Sequence, residues 1–180
     1  MIKPPNAQFS HLGFLVRDLD AMIDFYTRTL GLVLTDRGAY RLGGEIAFLS
    51  RNVDEHHQIV LVSGRDDSLH AAVINQISFH VDSLEDLRTF YQLLVGEGVQ
   101  QLTPRNHGNA WSIYFIDPEQ NRIELYTPSP WHVAQPFGKD LDLTRTATEI
   151  LAETERMVLA SPTVMPREAW ASSLQTKLHG

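Results

Sequence analysis

Apolar and polar positions along the chain follow two periods, and the order of those periods repeats. FSHLGFLV at 9–16 reads as a short strand, and Asp18 after it suits a helix N-cap. Leu19, Met22, Ile23, Tyr26 and Leu30 then fall on one helical stripe that stops at Gly31. LVLTD, GEIAFLSR and HHQIVLVSG follow as strand candidates, separated by Arg37-Gly38 and by the polar run Arg51 to Glu55. The same order returns with NQISFHV at 75–81 and a helix opened by Ser83, with Asp86 three residues on. Leu84, Leu87, Phe90, Tyr91 and Leu94 form its stripe, ended by Gly96 and Gly98. VQQLTP, AWSIYFID and NRIELYT complete the second copy. Matching Leu19 to Leu84 and Phe25-Tyr26 to Phe90-Tyr91 superposes the copies. The chain therefore reads as an α+β fold of two βαβββ units, about 9–63 and 75–127.

The segment beyond residue 130 differs in kind. Pro128, Pro130 and Pro136 interrupt regular structure, Thr146 with Glu149 has the pattern of a capping box, and Ile150, Leu151, Met157, Val158 and Leu159 follow with helical spacing. A further short helix is expected from Pro166, carrying Ala169, Trp170 and Leu174. Residues 131–180 are thus expected to form a C-terminal helical extension covering the core or a neighbouring subunit, with nothing in it that suggests chemistry.

One position breaks the apolar logic of the second unit. YFIDPEQNRIELY, 114–126, reads as strand, tight turn and strand, with Asp117, Pro118, Gln120 and Asn121 in the turn. Alternation sends Ile123 and Leu125 one way and Arg122, Glu124 and Tyr126 the other. If that second face borders a cavity rather than solvent, the Glu124 carboxylate needs a partner.

Composition narrows the options. An apolar fraction of 43% with 21% charged residues is ordinary for a water-soluble globular chain, and a formal charge of -7 argues against a nucleic-acid surface. No apolar run reaches the length of a membrane span, and Met1 to Ser10 lacks the basic start and apolar core of a leader, so a cytoplasmic protein without a membrane partner is expected. The absence of cysteine excludes disulfides, thiolate ligands and thiol nucleophiles, leaving histidine, carboxylate and amide oxygen to hold any metal.

The stretches HLGFLVRDLDAMIDFYTRTLGL, SLEDLRTFYQLL and HGNAWSIYFIDPEQNRIELY resemble the vicinal oxygen chelate superfamily. That group includes glyoxalase I, bleomycin-resistance proteins, fosfomycin-resistance enzymes and type I extradiol dioxygenases, and the pattern is similar to the last in particular. The resemblance implies that residues 1–130 form one such domain, a cupped mixed sheet around a divalent metal held by the first and last strands of the units. Carried over position by position, it offers His11 from the first strand of unit one and Glu124 from the last strand of unit two; a solvent-facing edge-strand glutamate is the alternative for Glu124. Through the helix match, His11 corresponds to Gln76, where many relatives have histidine, so Gln76 is either the third ligand or a residue behind the ligands. His80 lies four residues further along that strand, ~13 Å away at the usual rise, and is read as a wall or surface histidine. Val60 occupies the remaining ligand position and coordinates nothing. The set His11, Gln76 and Glu124 is then a neutral-amide variant of the two-histidine, one-carboxylate arrangement of non-haem iron oxygenases.

The same resemblance assigns further roles. His57 matches a histidine that serves as acid and base, although alternation along the strand favours His56 unless a bulge intervenes. Tyr114 stands where a tyrosine bonds the substrate oxygen, and His107 resembles a further cavity histidine, while Trp111, Phe115 and Tyr126 either line an aromatic pocket or belong to the core. The implied activity is extradiol ring cleavage of a small catecholic aromatic with O2, with Fe(II) as the implied metal and Mn(II) or another divalent ion as alternatives. A homodimer or larger homo-oligomer is expected. The competing readings are a non-redox isomerase, epimerase or lyase that uses the metal as a Lewis acid, and a metal-free protein that sequesters a ligand.

Overall fold

The computed structural model describes residues 9–66 and 74–179, so most of the amino-terminal stretch read for a leader lies outside the described residues. Strand β1 (Leu12–Val16), helix α1 (Leu19–Leu30), and strands β2 (Val33–Ala39), β3 (Glu45–Ser50) and β4 (Ile59–Ser63) form the first unit, to which residues 117–120 also belong. Strand β5 (Ile77–His80), helix α2 (Leu84–Gly96), and strands β6 (Thr103–Asn106), β7 (Ala110–Ile116) and β8 (Arg122–Pro128) repeat the order in the second. That unit continues through β9 (Trp131–His132), β10 (Lys139–Asp140), α3 (Ala147–Leu159), β11 (Met165–Pro166) and α4 (Arg167–His179). The expectation of an α+β chain built from two βαβββ units is met. Among the described residues no helix is long and apolar enough to cross a membrane.

In the first unit the strand order is β1-β4-β3-β2, with β1 and β4 parallel and the other pairs antiparallel. Its core forms because α1 turns Leu19, Met22, Phe25, Tyr26 and Leu30 onto the sheet, where Val16, Ala47, Leu49, Ile59 and Leu61 are buried. Asp18 caps the helix by accepting from the Ala21 N–H, and Gly31 ends it in the left-handed conformation that glycine adopts without a Cβ clash. The first boundary expectation that fails is Arg37-Gly38 as a separator: both lie inside β2, and the turn sits instead at 40–44, where Gly43 and Gly44 take positive φ. Within this unit the buried Glu119 carboxylate accepts from the backbone N–H groups of Arg17 and Asp18 and pairs with Arg65 at 3.3 Å.

The second unit orders its strands β10-β6-β7-β8-β5, again with one parallel pair, β5 and β8. Ile123, Leu125, Ile113, Trp111 and Phe115 are buried on the face that receives Leu87 and Leu94 of α2. The register supports the sequence superposition: Gly13 pairs with Val60 in the first unit as Ser78 pairs with Glu124 in the second.

The carboxy-terminal segment is more than a helical cover. β10 extends the sheet beside β6, β9 pairs with β11, and α3 is fixed by the full capping box of Thr146 and Glu149. Thr154 of α3 is fully buried; its hydroxyl accepts from Asn106 Nδ2 at 2.8 Å and Trp111 Nε1 at 2.9 Å while donating to the Ile150 carbonyl. Replacing it with the isosteric Val leaves two buried donors unpaired, so Thr154→Val is expected to cost about 2–4 kcal/mol and to lower Tm by roughly 5–15 °C. A thermal melt unchanged from wild type would show that α3 is not anchored this way.

Candidate functional site

Alternation gives the second sheet two unlike faces. Opposite the core face, Gln76, Ser78 and His80 project from the β5 segment, Arg122, Glu124 and Tyr126 from β8, and Ser112 and Tyr114 from β7. Register then aligns them in rows: Ser78, Glu124 and Tyr114 lie side by side across three strands, as do His80, Tyr126 and Ser112. The edge-strand reading of Glu124 is excluded, because β8 lies between β7 and β5 and the residue is only 8% exposed.

The Glu124 carboxylate takes its hydrogen bonds from neutral donors. Ser112 Oγ donates to Oε1 at 2.8 Å; Gln76 Nε2 and Ser78 Oγ donate to Oε2 at 2.7 and 2.5 Å. Gln76 Nε2 also donates to Ser78 Oγ at 3.0 Å, so both amide hydrogens are engaged and the amide carbonyl is the end turned away from the carboxylate. Ser78 and Ser112 are not singled out by the sequence. Their signal is present in the alternation of β5 and β7, which puts each on the face of Glu124, but serine in a strand carries no chemical motif of its own.

A second pair sits beside this cluster. His107, in the turn between β6 and β7, places Nδ1 2.9 Å from the Phe137 carbonyl and Nε2 3.0 Å from the Tyr114 hydroxyl. A carbonyl only accepts, so Nδ1 is the donor of that pair, which leaves Nε2 facing the Tyr114 hydroxyl. Burial first, and the neighbouring Glu124 second, push the Tyr114 phenol up to about 12. Its single proton thus has two acceptors at hand, His107 and Glu124. The Arg122 guanidinium lies 4.2 Å above the Tyr114 ring.

The first unit gathers the other histidines named from the sequence. His11 and His57 meet with ring centroids 4.4 Å apart, and His57 also packs on Phe48 at 5.2 Å. His56 is turned to Asp36, with Nε2 2.7 Å from its carboxylate, and its Nδ1 is 3.0 Å from that of His57. Both histidines precede β4 rather than lying on it, so strand alternation does not govern them and no bulge is needed; His57 is the one beside His11. Burial, then the charges of His11 and His56, lower the His57 pKa. Val60 packs in register with Phe48 and Gly13. Of the aromatic candidates, Trp111 and Phe115 are core residues at 3% and 1% exposure, whereas Tyr126 is half-buried on the polar face, edge-on to His80.

The donor set of the second unit fits a divalent cation. The Glu124 carboxylate is buried and bonded by neutral donors, and no ion pair of it occurs among the described residues. Turned over, the Gln76 amide would add its carbonyl, a hard oxygen donor of the kind that suits such ions. No group of three His, Cys, Asp or Glu side chains that could hold a metal occurs among the described residues, so a cation here would rely on neutral oxygen donors beside Glu124.

Comparison with known proteins gives a consistent picture. The model of the Glyoxalase/Bleomycin resistance protein/Dioxygenase superfamily matches residues 8–125. Biphenyl-2,3-diol 1,2-dioxygenase 2 of Rhodococcus globerulus is 28% identical over 153 residues, 75% of this chain and 77% of that protein. Glutathione transferase FosA of Serratia marcescens is 29% identical over 123 residues, 67% of this chain and 80% of its own. Among solved structures, the fosfomycin resistance protein FosX of Listeria monocytogenes, in complex with Mn(II) and sulfate, superposes with a TM-score of 0.54 at 21% identity, covering 69% of this chain and 95% of that one.

The Tyr114 environment has a direct spectroscopic consequence. Because its folded pKa lies above the ordinary value of 10, the phenol supports stability fully below pH 10, and that contribution is lost as pH rises through about 12. In a tyrosinate absorbance titration, Tyr114→Phe should remove amplitude only from the region near pH 12 and leave the transition near pH 10 intact. Amplitude lost near pH 10 would mean that the phenol is solvated.

Proposed function

Because the chain belongs to the Glyoxalase/Bleomycin resistance protein/Dioxygenase superfamily, we propose that it is a metal-dependent extradiol dioxygenase acting on a small catecholic aromatic, with Glu124 and Gln76 of the second unit as metal ligands. The observation that carries this reading is the buried Glu124 carboxylate, bonded by neutral donors and lying in register with a phenol that is itself paired to a histidine. A divalent ion at these residues, Fe(II) for oxygen chemistry, supplies Lewis acidity and a meeting point for catechol and O2. Ser78 and Ser112 orient the carboxylate. Tyr114, protonated throughout the neutral range, presents its oxygen to a substrate hydroxyl, and His107 Nε2 accepts the Tyr114 proton. His57, beside His11, is a second acid-base candidate. The relative named for biphenyl-2,3-diol, whose two hydroxyls are adjacent, supports the catecholic substrate class.

One observation favours a second reading. Gln76 in place of histidine makes the second unit's donors all oxygen, a set suited to Mn(II) or Mg(II) and to non-redox Lewis-acid chemistry. The likeness to FosA supports that alternative.

Oxygen uptake by anaerobically prepared, Fe(II)-loaded protein against a panel of catechols separates the two. Uptake with a ring-cleavage absorbance, abolished in Glu124→Ala together with at least a ~100-fold loss of metal affinity, is the expected result. Full activity and full metal occupancy in Glu124→Ala would overturn the ligand assignment. Tight Mn(II) binding without oxygen uptake would replace the dioxygenase with the Lewis-acid enzyme.

A further inference from the structure

The segment after β9 reaches the site at His107, where the Phe137 carbonyl faces Nδ1 of the ring. Gln135 holds the arrangement from both ends of its amide. Nε2 donates to the His107 carbonyl at 2.9 Å and to Asn109 Oδ1 at 3.2 Å, while Oε1 accepts from the Phe137 N–H at 3.0 Å. The same side chain therefore ties the backbone of His107 to the backbone of Phe137, whose carbonyl faces Nδ1 of the ring. Gly108 leaves no freedom on the other side: at φ +73° it carries the turn, and a Cβ there would stand 2.6 Å from Val133 and 3.3 Å from Phe137. Ser129 Oγ donates to the Gly108 carbonyl, completing the clasp. Histidine free in water favours the opposite tautomer, with the proton on Nε2, so the Phe137 carbonyl imposes a choice on the ring.

We infer that the carboxy-terminal strap, residues 133–137, is a positioning device for proton transfer: Gln135 and the Phe137 carbonyl hold His107 with its proton on Nδ1, which reserves Nε2 as the acceptor for the Tyr114 hydroxyl. The catalytic part of this inference rests on the catecholic substrate proposed above. As a substrate hydroxyl gives its proton to the Tyr114 oxygen, the Tyr114 proton passes to His107 Nε2. The substrate leaves this step with one proton fewer, Tyr114 is unchanged, and His107 becomes an imidazolium whose Nδ1–H still donates to Phe137. In the other tautomer Nε2 would carry a hydrogen, and the neutral ring could not accept. Gln135 touches none of the reacting atoms and acts only through His107.

The test is nitrogen-15 NMR of histidine-labelled full-length protein at a pH where His107 is neutral, with His107→Gln to assign its signals, alongside steady-state kinetics. Wild type should show a protonated Nδ1 and an unprotonated Nε2 at His107. Gln135→Leu, which loses both ends of the clasp, should show a mixture of tautomers and lose about tenfold or more in kcat, with KM within about twofold. Gln135→Glu, which keeps only the acceptor for Phe137, should fall between them. The spectrum reads out whether or not any catechol is cleaved, so failure of the dioxygenase reading leaves it interpretable. A wild-type His107 protonated on Nε2 overturns the inference, as does Gln135→Leu with an unaltered tautomer. If Gln135→Leu does not fold, Gln135→Glu decides on the same criteria.

Discussion

A carboxylate kept out of water in the middle of a sheet is the constraint around which the second unit is organised. β8 has to send Ile123 and Leu125 into the core, and the two-residue period then forces Glu124 onto the other face, between β7 and β5. A buried carboxylate without partners carries a desolvation cost, and two serines and an amide bond this one. Neutral donors soften the penalty without cancelling the charge. A site arranged in this way retains attraction for a cation, whereas an arginine in the same place would have produced a closed, inert ion pair.

The two units show how little sequence separates a functional face from a structural one. Their strands pair in the same register, yet where the second sets Ser78 against Glu124, the first sets Gly13 against Val60. Glycine and valine contribute no donor and no charge, and the first unit's histidines, His11 and His57, meet ahead of its strands instead. The apolar centre of one sheet and the polar centre of the other are alternatives built on one backbone plan, and side-chain identity at the equivalent positions decides between them.

Much of this plan is legible in the amino-acid sequence. Helix limits follow from Asp18, Gly31, Ser83 and the Thr146–Glu149 box because capping is local and depends on residues a turn apart. The superposition of His11 on Gln76 follows from the repeat, and the strand register bears out its neighbours. What the sequence hides is non-local or lies in the backbone. Ser78 and Ser112 become significant only when register brings them beside Glu124. Arg37-Gly38 resembles a break because glycine has low strand propensity, but pairing with Ile46 and Ala47 holds β2 through it. The carbonyl of Phe137 beside His107 is likewise invisible to any reading of side chains.

For the cation site proposed at Glu124, the amide at position 76 would set the terms of entry. An imidazole there would offer a ready lone pair, but Gln76 has both amide hydrogens committed, one to Glu124 and one to Ser78. An ion seeking both the carboxylate and the amide oxygen must therefore break these bonds and turn the amide over, replacing two hydrogen bonds with one coordinate bond. Hard oxygen-seeking ions gain most from that exchange, since they bind carboxylate and amide carbonyl alike. The hydroxyls of Ser78 and Ser112 can stay in place throughout, still donating to the carboxylate oxygens. Selectivity at such a site is decided less by the number of ligands than by how strongly an ion competes with the hydrogen bonds already satisfying Glu124.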